Sequence, residues 1–144
     1  MYKRILVPFD GSETSTQALV AALQLAREAD GCVRIVLAFD AMAYLTGFEY
    51  SAQVYEGALR SAGEMLDKAM EVARASGVPA DKKMLDIPGA RLGELVAEEA
   101  LAWNADLVVL GTHGRRGVGR VLLGSGAEEV IRMAPVPVLV FRTR

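Results

Sequence analysis

The sequence predicts an α/β fold: an open, doubly wound sheet of five parallel strands with helices on both faces. Three observations carry that prediction. Apolar runs and helical patterns alternate as βαβαβαβαβ along the 144 residues. The runs Ile5-Leu6-Val7, Ile35-Val36-Leu37 and Leu107–Leu110 are continuous, as strands covered on both faces require. Each is separated from the next by enough chain for a crossover helix, and such connections are right-handed.

Lys3–Phe9 reads as the first strand and Asp10-Gly11-Ser12 as a turn. From Ser12 to Asp30, Ala18, Leu19, Ala22, Leu23 and Ala26 recur at helical spacing, and Gly31 ends the pattern. Val33–Phe39 is the second strand. Positions 41–52 show no period but hold Tyr44, Phe48 and Tyr50, with Tyr55 just beyond. These rings suit a lid or partner surface as well as packing on a helix. A second helix is expected over Gly57–Ser76, with Leu59, Ala62, Leu66, Ala69 and Ala73 on its apolar stripe.

Lys82–Ile87 reads as a polar edge strand and Pro88-Gly89 as a turn. Arg91–Asn104 is a third helix, burying Leu92, Leu95, Val96, Ala100 and Trp103. Asp106–Leu110 is the fourth strand. A short helix over Ser125–Ala134 and a last strand over Val136–Arg142 complete the chain. No linker or internal repeat divides it, so residues 1–144 read as one domain.

Composition excludes several classes. An apolar content of 52% argues against disorder, and a net charge of −2 against a general nucleic-acid binder. One Cys and one His exclude an internal disulfide and make a structural zinc site implausible. No apolar run approaches the ~18 residues of a membrane span, and the start of the chain lacks a signal-peptide core. A cytoplasmic protein is expected, with neither nucleic acid nor membrane as partner.

The most informative stretch is GTHGRRGVGRVLLGSGAEEV, from Gly111 onward. Glycines let backbone N–H groups turn toward an anion, and a helix N-terminus adds unpaired N–H groups and a positive dipole end. Gly114, Gly124 and Ser125 therefore form a candidate phosphate cradle. In the alternative, Gly111 and Gly114 are turn residues and Ser125 caps a helix, with Glu128 completing a capping box. The two roles are compatible. Arg115 and Arg116 are candidate phosphate clamps, with Arg120 next, although loop arginines are commonly just solvated. His113 has no evident catalytic partner in the sequence and reads as solvated. A P-loop is absent, and Gly117-Val118-Gly119 fails the dinucleotide pattern because residue 122 is Leu.

Asp10, at the end of the first strand, suits a ribose hydroxyl or a magnesium-bound water; Asp-Gly-Ser is also good turn chemistry. Strand ends are where ligands sit in such sheets.

Gly111-x2-Gly114-x9-Gly124-Ser125 resembles the signature of the ATP-binding branch of the universal stress protein family. The opening Lys3–Ser12 and the ending Pro135–Val140 resemble that family's first and last strands. The resemblance implies a flavodoxin- or Rossmann-like sheet of order 3-2-1-4-5, with the crevice between the first and fourth strands. It implies that Pro8, Asp10, Phe39, Gly111, Gly114, Gly124 and Ser125 line a site for ATP; guanidinium chemistry adds Arg115 and Arg116, and Mg2+ is reached from Asp10 through water. Phe39 falls where the family's second strand meets adenine, and core packing explains it equally well. The resemblance also implies a homodimer through the last strand, Val136–Phe141. The apolar edge of that strand, blunted by Pro137 and Arg142, independently suggests the same.

The implied role is regulatory, acting on a protein partner that the sequence does not identify. No catalytic residues are expected, and any hydrolysis of ATP is expected to be slow. Two alternatives remain: an ATP-using enzyme of a related fold, adenylating or slowly hydrolysing, and a stress protein that acts through protein contacts without nucleotide. The missing serine- and glycine-rich loop after the first strand argues against the former, and the intact glycine spacing against the latter.

Overall fold

The computed structural model describes residues 2–39, 52–86, 91–112 and 125–142. Among these residues nine elements follow one another: β1 (Arg4–Pro8), α1 (Glu13–Ala29), β2 (Cys32–Ala38), α2 (Ala52–Ser76), β3 (Ala80–Leu85), α3 (Leu92–Ala102), β4 (Leu107–Thr112), α4 (Ser125–Met133) and β5 (Val138–Arg142). The sheet is parallel, in the order β3-β2-β1-β4-β5.

The central strands bury both faces. On one face Ile5, Val7, Ile35, Leu37, Leu107 and Val109 pack under α1 and α2. On the other, Leu6, Val36, Val108 and Leu110 pack under α3 and α4. Continuous apolar runs are what such a layered core demands.

Helix α1 opens on Ser12, whose side chain accepts from the Ser15 N–H. Its other end differs from expectation. Asp30, not Gly31, takes the left-handed conformation, with φ 56°. Gly31 is required for a different reason: a Cβ there would sit 2.7 Å from the Lys3 Cα, at the start of β1.

Helix α3 lacks a capping side chain of its own at Arg91. Glu129 of α4 substitutes, its Oε1 accepting from the Gly93 N–H at 3.3 Å while Oε2 pairs with Arg91 at 3.2 Å. The carboxylate also answers the positive end of the helix dipole.

A polar network crosses the sheet face beneath α3. Arg34 donates to both carboxylate oxygens of Asp81 at 2.8 Å and to Glu99 at 2.7 Å; Lys83 donates to Glu99 at 2.9 Å. Hydrogen bonds from Arg34 to Asp81 hold its pKa above the ordinary value; burial opposes the shift and Glu99 adds to it. The Arg4 and Arg34 guanidinium groups lie over the Trp103 ring, 4.3 and 4.9 Å from its centroid.

Candidate functional site

Strand β1 stays paired with β2 along its whole length, from Arg4↔Cys32 to Pro8↔Val36. With β4 it pairs only at Ile5↔Leu107 and Leu6↔Val108. Beyond those pairs the two central strands part, and a crevice opens at their carboxyl ends. Pro8 fits this divergence. In a parallel strand alternate residues serve opposite neighbours. The Arg4 carbonyl accepts from Asp106 on the β4 side, and the Phe9 N–H donates to Val36 on the β2 side. Pro8 therefore presents its missing N–H toward β4, where the ladder has already ended. A proline inside a central strand is tolerated for that reason.

The crevice leads into a cavity of about 620 Å3, within the range of small-molecule sites. Its walls are mainly apolar: Val36, Phe39, Leu85, Leu110 and Val130 contribute, with Ala62 and Met65 from α2. Polar groups among the described residues come from three sides, with Ser61 on α2. Asp10 and Ser15 line it beside β1, and Thr112 with the first turn of α4, Gly126 and Ala127, lines it beside β4. Among the described residues, Asp10 is the only ionisable side chain lining the cavity.

Of the site residues expected from sequence, Pro8, Asp10, Phe39 and Gly111 meet around this one cavity. Asp10 is exposed, and its Oδ1 accepts from the Ser12 N–H at 2.9 Å, so the turn role is present. The Asp10 N–H points to the Ser15 Oγ at 3.4 Å. Phe39 is a core residue in its ring, buried and 5.8 Å from the Tyr55 ring centroid. Its N–H donates to the Leu85 carbonyl at 2.9 Å, so that group is committed to β3.

Gly111 corrects the reading of it as a turn residue. It lies inside β4, paired with Phe141, and the strand runs on to Thr112↔Arg142. A Cβ at Gly111 would run into the Thr14 carbonyl. The glycine thus lets the first turn of α1 close onto β4 behind the crevice.

His113, Gly114, Arg115, Arg116, Arg120 and Gly124 lie outside the described residues, as do Tyr44, Phe48, Tyr50 and the Pro88-Gly89 turn. Ser125 is described only as the first residue of α4; its side chain is not. Sequence reasoning missed Ser15 and Thr112. Ser15 looks like one more small residue in a helix start, and Thr112 lies beyond Gly111, where the apolar run of the fourth strand stops.

The model of the universal stress protein family matches residues 1–142. The chain belongs to the universal stress protein family. A universal stress protein of Methanocaldococcus jannaschii is 38% identical over 144 residues, covering 99% of this chain and 83% of that protein. Among solved structures, a universal stress protein family member from Burkholderia pseudomallei superposes with a TM-score of 0.77 at 29% identity, over 97% of this chain and 96% of its own. A universal stress protein in complex with cAMP superposes with a TM-score of 0.69 at 26% identity, over 99% and 98% of the two chains. Among the described residues no helix is long and apolar enough to cross a membrane, and no cluster of three metal-ligating side chains occurs.

Proposed function

We propose that this universal stress protein binds ATP in the crevice between β1 and β4 and acts as a nucleotide-dependent regulator. The observation that carries the reading is the parting of β1 from β4 over a 620 Å3 cavity with apolar walls and polar ends. A flat base suits the apolar walls, and the phosphates suit the N-terminus of α4. The relative in complex with cAMP supports an adenine nucleotide as the ligand class. The glycine spacing Gly111-x2-Gly114-x9-Gly124-Ser125 supports ATP within that class; in this reading Gly114, Gly124, Ser125, Arg115 and Arg116 hold its phosphates.

Asp10 alone is too small a donor set to hold a cation directly. Mg2+ would arrive with the triphosphate, and Asp10 would reach it through a bound water. Asp10 and Phe39 reach the ligand from the strand ends, Phe39 through its cavity-facing atoms rather than its N–H. Any hydrolysis is slow, far below the enzyme median of about 10 per second. The site works in the cytoplasm, within a homodimer paired along β5, and passes its state to a protein partner.

The deciding experiment is to denature the purified protein and identify released small molecules by mass spectrometry, with calorimetric titration of ATP beside it. Nucleotide-free protein that takes up no ATP would leave the alternative of a stress protein working through protein contacts alone.

A further inference from the structure

Thr112 is 2% exposed, and its Oγ1 has no hydrogen-bond partner among the described residues. It is the one buried side-chain oxygen or nitrogen among them in that position. The other buried hydroxyls among the described residues are paired: Thr14 meets Ser12, and Ser15 donates to the Ser12 carbonyl. An orphan of this kind is costly, and in a native fold it calls for a group that satisfies it.

Position says what that is. Thr112 is the last residue of β4 and lines the cavity beside Gly126 and Ala127, in the first turn of α4. Its side chain leaves the strand on the same face as Leu110, which packs with Ala127 and Val130 of α4. Thr112 thus shares a cavity wall with a helix start, where backbone N–H groups favour an anion. A threonine hydroxyl can add one more donor aimed at the same charge.

We propose that Thr112 is a ligand-contacting residue, its hydroxyl donating to a phosphate oxygen of the nucleotide held at the α4 N-terminus. This rests on the nucleotide reading above. It assigns to the end of β4 a side chain that discriminates phosphorylated ligands from the bare nucleoside.

The test is Thr112→Val, which keeps the shape and removes the hydroxyl, with Thr112→Ser as the conservative control. Calorimetry is run with ATP and with adenosine, and thermal melts are recorded without ligand. ATP affinity should fall at least ~10-fold in the valine variant, the scale of a lost hydrogen bond to a charged group. It should be restored in the serine variant, and adenosine affinity should be unchanged. The ligand-free valine variant should melt no lower than wild type, because it has lost an unpaired polar atom. Wild-type ATP affinity in Thr112→Val would overturn the contact, as would an equal loss for adenosine or a lower ligand-free melting temperature. A wild-type protein that binds neither ligand would instead overturn the nucleotide reading, and this assignment with it.

Discussion

Gly111 of β4 lies so close to Thr14 of α1 that a Cβ at residue 111 would overlap the Thr14 carbonyl and come within 2.7 Å of the Ser15 nitrogen. The obstacle is backbone, which cannot rotate aside. Gly111→Ala should therefore push α1 off the sheet and cost about 2–3 kcal/mol, the upper part of the overpacking range. Urea unfolding would measure this. Because Ser15 and Asp10 belong to the displaced turn, the same variant should bind nucleotide more weakly.

Glu129 should matter to α3 more than to α4, where it resides. It accepts from the Gly93 N–H, at a helix start with no cap of its own. Glu129→Ala should cost about 1–2 kcal/mol, as loss of a capping acceptor does. Arg91→Ala should cost little, because that side chain is 64% exposed. Equal losses in the two variants, by denaturant titration, would show that the ion pair rather than the cap is what counts.

Glu99 joins two cations across the sheet face while its side chain is only 6% exposed. Glu99→Ala should destabilise by about 2–3 kcal/mol. That is less than the ~3–5 kcal/mol of an isolated buried pair, because Arg34 keeps Asp81. Lys83→Ala, at a half-exposed site, should cost under about 1 kcal/mol.

The open edge of β5 is more exposed to pairing than the sequence suggests. The Pro137 carbonyl accepts from the Val108 N–H on β4, so Pro137 serves the inner side and does not blunt the outer one. By the alternation of a parallel strand, Val138, Val140 and Arg142 face outward. Val138→Pro then removes an edge donor while sparing the β4 ladder. In light scattering, wild type is expected at twice the 15.4 kDa chain mass and Val138→Pro near one chain mass. A wild-type monomer would exclude the edge pairing; a Val138→Pro dimer would move the interface off this edge.

Where the sequence showed an element clearly, the element was buried on a repeating pattern. The layering agrees with expectation because the continuous runs in β1, β2 and β4 must be covered on both faces, and the strand order agrees with what the family resemblance implies. The misplaced boundaries lie where burial is partial. α2 starts at Ala52, before the expected Gly57, because Val54 is exposed and the first turn carries no apolar stripe. β3 runs from Ala80 to Leu85 rather than from Lys82 to Ile87. Its Asp81 lies in the strand opposite Arg34, which pairs with it across the ladder. β5 begins at Val138, two residues late. Around the cavity, the place of Asp10 was legible from its position at a strand end, and that of Pro8 only through the family resemblance. The reason for Gly111, and the isolation of the Thr112 hydroxyl, depend on helices distant in sequence and leave no local signal.

The brief seam between β1 and β4 bears on the order in which the molecule assembles. β1, α1 and β2 are neighbours in sequence, whereas the Asp106 carboxylate that holds the Lys3 N–H closes a separation of 103 residues. Closure over such a distance carries an entropic cost, and the direct ladder it forms has only two register pairs, beside the Asp106 bonds to Lys3 and Arg4 and the packing of α1 on β4. The seam should therefore form after the folding barrier, making the crevice a late product of folding. A ligand bridging it would then have nothing to bind in the transition state. Saturating ATP should slow unfolding and leave the refolding rate unchanged, a split that stopped-flow chevrons with and without nucleotide would reveal.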